Sequence, residues 1–141
     1  MFSNQIINRT EQMIGLVGGV RSSYYPDQRQ LNINYLTNLN LITIRGWSIA
    51  QNIQSKYDEL LLTIDGHLET KNNLNIHCKY ELFNSSSLKC ILNMIKKLNQ
   101  HWRAGRDVKI FWSITDGEDE MLEMGLDLRG LCDFRFQISC L

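Results

Sequence analysis

The chain has no C-x-x-C pair, no histidines at i,i+4 spacing, no HExxH and no excess charge of either sign. Its cysteines, Cys78, Cys90, Cys132 and Cys140, are spaced too irregularly for a zinc site. Each falls in an apolar pattern, so free buried or half-buried thiols in a reducing compartment are expected rather than disulfides. Lys and Arg number 15, as do Asp and Glu. A balanced chain has no global reason to bind nucleic acid or an acidic membrane, and neither is expected as a partner. No apolar run reaches the ~18 residues of a membrane-spanning helix. Residues 13–20 are apolar, but the run is short and broken by Gly15, Gly18 and Gly19, a poor signal peptide. A cytoplasmic location is the default expectation. A Walker loop is excluded as well, since Val20 and Arg21 stand where it needs Gly and Lys.

What is present is one domain's worth of sequence, 141 residues of which 43% are hydrophobic. Residues 1–30 hold the only proline, Pro26, and read as an irregular extension. Residues 31–141 carry the regular patterns. Leu31, Ile33 and Tyr35 alternate with Asn32 and Asn34 as a strand. Thr37-Asn38 suggests a turn, and 39–45 a second strand of a hairpin ended by Gly46. Ser48 is a candidate N-cap for a helix whose stripe is Ala50, Ile53, Tyr57, Leu60, Leu61 and Ile64, with a stop at Gly66. Leu74, Ile76, Cys78, Tyr80 and Leu82 alternate with Asn75, His77, Lys79 and Glu81, the clearest strand in the chain. After Asn84-Ser85-Ser86-Ser87, an N-cap cluster, Leu88, Ile91, Leu92, Ile95 and Trp102 trace a helix closed by Gly105. Val108, Ile110, Trp112 and Ile114 form a fourth strand. Glu118, Asp119 and Glu120 open a third helix, where acids complement the helix dipole. Phe134, Phe136 and Ile138 mark the last strand. The order β-β-α-β-α-β-α-β predicts an α/β domain with a mixed, mostly parallel sheet of about five strands and three helices.

The hydroxyl cluster carries the functional reading. A helix start offers unpaired N–H groups and a partial positive charge, which would stabilise a phosphate on a serine there. Phe83-Asn84-Ser85-Ser86-Ser87-Leu88-Lys89 resembles the Asn-Thr/Ser-Ser-Ser-Ile/Leu-Lys segment of the SiaC family of bacterial regulatory phosphoproteins. The acidic stretch from Asp116 to Gly125 and the terminal Asp133-Phe134-Arg135-Phe136 are also similar to that family, over roughly residues 31–138. The resemblance implies a STAS-like fold, akin to anti-sigma-factor antagonists. It implies Ser85 as phosphoacceptor, with Asn84, Ser86, Ser87 and Lys89 around it and Asp116, Glu118, Asp119 and Glu120 as a partner-facing rim. It further implies a protein Ser/Thr kinase, a PP2C-type phosphatase and a diguanylate cyclase as partners. The unphosphorylated form would activate the cyclase, in control of cyclic-di-GMP and biofilm formation, with no catalysis and no cofactor of its own. The chain departs from the family's usual Ser-Tyr-Pro-Glu-Asn after the second strand, where it reads Gly46-Trp47-Ser48-Ile49-Ala50.

Other constellations in the sequence point to different chemistry. An anti-sigma-factor antagonist acting by partner switching is one alternative. A small serine hydrolase is another, but no G-x-S-x-G elbow occurs, and His77 stands on the polar side of its strand, eight residues before Ser85. His77 and Cys78, as strand neighbours, point to opposite faces and cannot share a metal. Asp116, Glu118 and Glu120 alternate as in a calcium loop, but the required glycine position holds Met121. Lys96, Lys97, Arg103 and Arg106, beside Trp102, read as a solvated helix face.

Overall fold

The computed structural model describes residues 30–49 and 52–140; the expected extension, residues 1–30, lies outside them except for Gln30. A hairpin opens the domain. Strand β1 spans Leu31–Leu36, a single 3-10 turn spans Thr37–Leu39, and β2 spans Leu41–Ser48. Asn40 closes the turn at φ 50, a left-handed conformation that Asn tolerates. Helix α1 (Ile53–Thr70), β3 (Asn73–Phe83), α2 (Ser85–Arg103), β4 (Asp107–Ile114), α3 (Asp119–Arg129) and β5 (Arg135–Cys140) follow. The predicted order and the mixed sheet are as observed. β1 is antiparallel to β2, and β2, β3, β4 and β5 run parallel.

The strands lie in the sheet in chain order, β1-β2-β3-β4-β5. Parallel crossovers are right-handed as a rule, and three that all step the same way along the sheet put their helices on one face of it. The alternation read from the sequence is therefore a difference between a helix-covered face and an open one. Leu74, Ile76, Cys78, Tyr80 and Leu82 of β3 are buried, with Ile42 and Ile44 beside them on β2 and Ile110 and Trp112 on β4. Arg45, His77, Glu81, Arg135 and Gln137 point the other way and are exposed. The helices close the core with Tyr57, Leu60 and Ile64 from α1, Leu88, Ile91 and Ile95 from α2, and Met121, Met124 and Leu128 from α3. Gly125 lets α3 sit directly on Trp112, since a Cβ there would lie 2.6 Å from the indole Cδ1.

Four local expectations are corrected. Gly46 does not end β2. Its φ is +107, a Cβ would lie 2.2 Å from the Gln30 carbonyl oxygen, and the pairing with β3 slips between Gly46 and Trp47. It marks a bulge through which the strand continues. Ser48 is accordingly the buried last residue of β2, and Asn52 takes the cap position before α1. Gly66 does not stop α1, which runs on to Thr70 because His67 and Leu68 beyond it are buried. Finally, the four cysteines are free, with Cys78 and Cys90 buried and Cys132 half-buried, but Cys140 is exposed near the end of the edge strand β5. Burial pushes the Cys132 thiol up to about 12, with Asp133 adding to the effect, so it is protonated near neutral pH.

Candidate functional site

In a sheet of parallel strands, the loops that leave the strands' C-terminal ends share one edge, and the following helices begin there. Here that edge gathers Ser48 from β2, Phe83 and the serine cluster after β3, the acidic turn after β4, and Cys140 of β5. It joins the sequence-predicted serines and acids along one rim of the fold.

The start of α2 is built by Asn84. Its backbone is extended (φ −106, ψ −178), and its side-chain Oδ1 accepts a hydrogen bond from the Ser87 amide at 2.9 Å. Its carbonyl accepts from the Leu88 amide at 2.9 Å. Asn84 is therefore the cap, and the serines are the first three helical residues. The amides of Ser85 and Ser86 lie in the turn whose N–H groups have no partner within a helix. Ser85 is half-buried, Ser86 is exposed and Ser87 is fully buried. The sequence treats the three as alike, and the fold does not. Lys89, exposed, stands one turn beyond Ser85 on the same helix face.

The burial of Ser87 has a partner that sequence reasoning missed. Its hydroxyl donates a hydrogen bond to the carbonyl of Ser48, 39 positions earlier. The Ser48 hydroxyl, also fully buried, lies 2.9 Å from the Tyr57 hydroxyl, which lies 2.9 Å from the Tyr80 hydroxyl. Burial raises the pKa of both phenols, in Tyr57 against the opposing effect of its hydrogen bonds to Ser48 and Tyr80. They remain neutral donors and acceptors. The available signal was Tyr57 itself: a tyrosine on an apolar stripe must find a buried partner for its hydroxyl.

The acidic rim is only partly free. Asp116 and Asp119 are exposed. Glu118 is turned inward, its Oε1 accepting from the Thr115 amide at 2.7 Å and lying 3.8 Å from Lys79 Nζ. Lys79 also donates to the Thr115 hydroxyl at 2.9 Å. Glu120 is half-buried in the first turn of α3.

The histidines are engaged elsewhere. His67 Nε2 donates to the Asn73 carbonyl at 2.9 Å, which leaves Nδ1 to accept from the Tyr35 hydroxyl at 2.6 Å. His77 lies on the open sheet face with its ring against Phe111, centroids 4.7 Å apart. His101 Nε2 is 2.8 Å from Asp65. No histidine bonded to a serine of the cluster occurs among the described residues, so the pairing a serine nucleophile needs is missing from them. The basic side chains expected to form a solvated helix face are in part tied to the protein. Lys97 bridges to Asp65 at 2.6 Å, Arg103 Nε donates to Asp133 at 2.8 Å, and Arg106 Nε donates to the Leu68 carbonyl at 2.7 Å. Among the described residues no helix is long and apolar enough to cross a membrane, and no three His, Cys, Asp or Glu side chains group to hold a metal ion.

A family model described as SiaC family regulatory phosphoprotein matches residues 26–141. Comparison with curated proteins finds no match. Among solved structures, the chain is similar to apo-SiaC from Pseudomonas aeruginosa, at 19% identity and a TM-score of 0.71, covering 79% of this chain and 92% of that one. It is similar also to a chain in the crystal structure of the diguanylate cyclase SiaD in complex with its activator SiaC, from the same organism. There the identity is 17% and the TM-score 0.74, covering 81% of this chain and 94% of that one. At such identities the likeness is one of fold.

Proposed function

We propose a function for this chain from one premise: it belongs to the SiaC family of regulatory phosphoproteins. It acts as a phosphorylation-gated binding protein with no chemistry of its own, and Ser85 is the acceptor. The unmodified form docks on a diguanylate cyclase and activates it, as SiaC is named the activator of SiaD. A protein kinase adds the phosphate and a PP2C-type phosphatase removes it, in the cytoplasm. The regulatory domain is residues 31–141, preceded by the extension 1–30.

The observation that carries this reading is the state of the α2 start. Asn84 already caps the helix, so Ser85 is not needed for that task. Ser85 is half-buried rather than enclosed, and it sits where a phosphate gains from the helix dipole and the first-turn amides. Phosphorylation adds roughly 1.5 to 2 negative charges there, enough to remake a contact surface without altering the fold. Asp116 and Asp119 on the neighbouring turn form the acidic border of that surface, and Lys89 its basic one.

The test uses protein carrying genetically encoded phosphoserine at position 85 beside the unmodified protein. Binding to the diguanylate cyclases of the host organism is measured by calorimetry, and cyclic-di-GMP synthesis is measured in parallel. The unmodified chain is expected to bind and stimulate one cyclase, and the phosphorylated chain to bind at least about tenfold more weakly. Equal affinity of the two forms refutes the gating. Kinase labelling of Ser85→Ala at the wild-type stoichiometry refutes the acceptor assignment.

A further inference from the structure

We infer that Ser87 is a positioning residue for the phosphorylation site: its buried hydroxyl ties the turn that carries Ser85 to the end of β2. This rests on Ser85 being the modified position. Ser87 is held at two points. Its amide donates to Asn84 Oδ1, closing the first turn of α2, and its hydroxyl donates to the Ser48 carbonyl, fixing that turn to the sheet. Ser48 and Ser87 are both 0% exposed, so the second bond is made where water cannot replace it. The Ser48 hydroxyl then continues through Tyr57 of α1 to Tyr80 of β3. A buried hydroxyl chain thus joins α2, β2, α1 and β3, and its outer end is two residues from the acceptor.

A different residue at 87 would satisfy packing but not this geometry. Alanine fills most of the space yet leaves the Ser48 carbonyl without its donor in a dry site. The first turn of α2 would then be held by Asn84 alone. Ser87 is also removed from competition as an acceptor, because a hydroxyl with no exposure and a committed hydrogen bond cannot enter a kinase site. The three serines therefore divide the work, with Ser85 carrying the modification and Ser87 setting where it is presented.

The experiment is a phosphorus-31 NMR titration of full-length protein with phosphoserine genetically encoded at position 85, so no kinase or cyclase is involved. A phosphate seated on the first turn of α2 has its second ionisation favoured, so its pKa lies below that of free phosphoserine, by about half a unit. Ser87→Ala is expected to return the pKa most of the way to the free value. Tyr80→Phe, which cuts the hydroxyl chain at its far end and leaves the Ser87–Ser48 bond in place, is expected to lower the melting temperature without moving the titration. Should Ser87→Ala fail to fold, Ser87→Cys, close in size but a weak donor, is expected to shift the pKa in the same direction. The inference is overturned if Ser87→Ala or Ser87→Cys titrates like wild type, if Tyr80→Phe moves the pKa as far as Ser87→Ala, or if the wild-type phosphate already titrates at the free value. Failure of the gating is read separately, as unchanged cyclase affinity despite a shifted pKa.

Discussion

Replacing Asn84 by alanine tests the architecture of the site at its foundation. The substitution removes one acceptor, Oδ1, from the Ser87 amide 2.9 Å away and leaves the backbone bond from Leu88 in place. Loss of an N-cap of this kind costs about 1 kcal/mol, within a range of about 0.5–2. The rest of α2 does not follow, because Leu88, Ile91, Ile95 and Leu98 are anchored in the core. The loss is therefore local, a roughly fivefold rise in the open population of the first turn. Globally it amounts to a fall in melting temperature of about 3–5 °C for a domain of this size. Asn84→Gly is expected to lose only a few tenths of a kcal/mol, since glycine allows the same extended entry and lets water reach the amide. Denaturant unfolding gives the global number, and hydrogen exchange at the Ser87 amide gives the local one. If Asn84→Ala keeps wild-type stability and wild-type protection at Ser87, the cap is not formed in solution. If Asn84→Gly is as damaging as Asn84→Ala, the loss comes from something other than the cap.

Two glycines separate packing from propensity. Gly125→Ala drives a methyl to 2.6 Å from Trp112 Cδ1 and is expected to destabilise by about 1–3 kcal/mol despite the better helix propensity of alanine. Gly66→Ala, with nothing within 4 Å, is expected to stabilise by about 0.5–1 kcal/mol, and thermal unfolding of the two variants in one buffer checks both signs. The α1–α2 bridge gives a pH signature. Burial opposes the charge of Asp65, but hydrogen bonds from Lys97 and His101 outweigh it and hold the carboxyl below its usual range. A depressed folded pKa means stability that is present above the unfolded value and lost as pH falls through the folded one. Asp65→Asn should therefore melt earlier than wild type at neutral pH, and the gap should close below about pH 4. A gap that stays constant into strong acid would remove the ion pair from the explanation.

The elements were legible wherever one side of a strand or helix meets the core and the other does not. β3 is the plainest case, because helices cover only one face of the sheet and five buried side chains alternate with more exposed ones. Gly46 and Gly66 misled for a shared reason. Glycine reads as an ending, but at 46 it admits the backbone of Gln30 and at 66 it is a tolerated exposed position in a helix held beyond it by His67 and Leu68. At the site, Asn84-Ser-Ser-Ser announced a helix start by local chemistry alone. The unequal fates of the three serines were not legible, because Ser87 is set apart by a carbonyl 39 positions away and no short-range pattern encodes that. The family resemblance, carried by that same segment and the acidic stretch, was legible and agrees with the family match.

The strand order has a consequence for how the polypeptide comes together during synthesis. Each new strand of the parallel set is added at the outer edge of what already exists, and none must be threaded between two earlier ones. Leu41 pairs with Asn75 and Asn73 with Asp107, each 34 positions on, and Lys109 with Arg135, only 26 on. Every such closure spans a single helix, so its entropic cost is modest and nearly the same each time. A ribosome delivering this sequence can lay the sheet down from its first hairpin outward, with each finished edge serving as template for the next arrival.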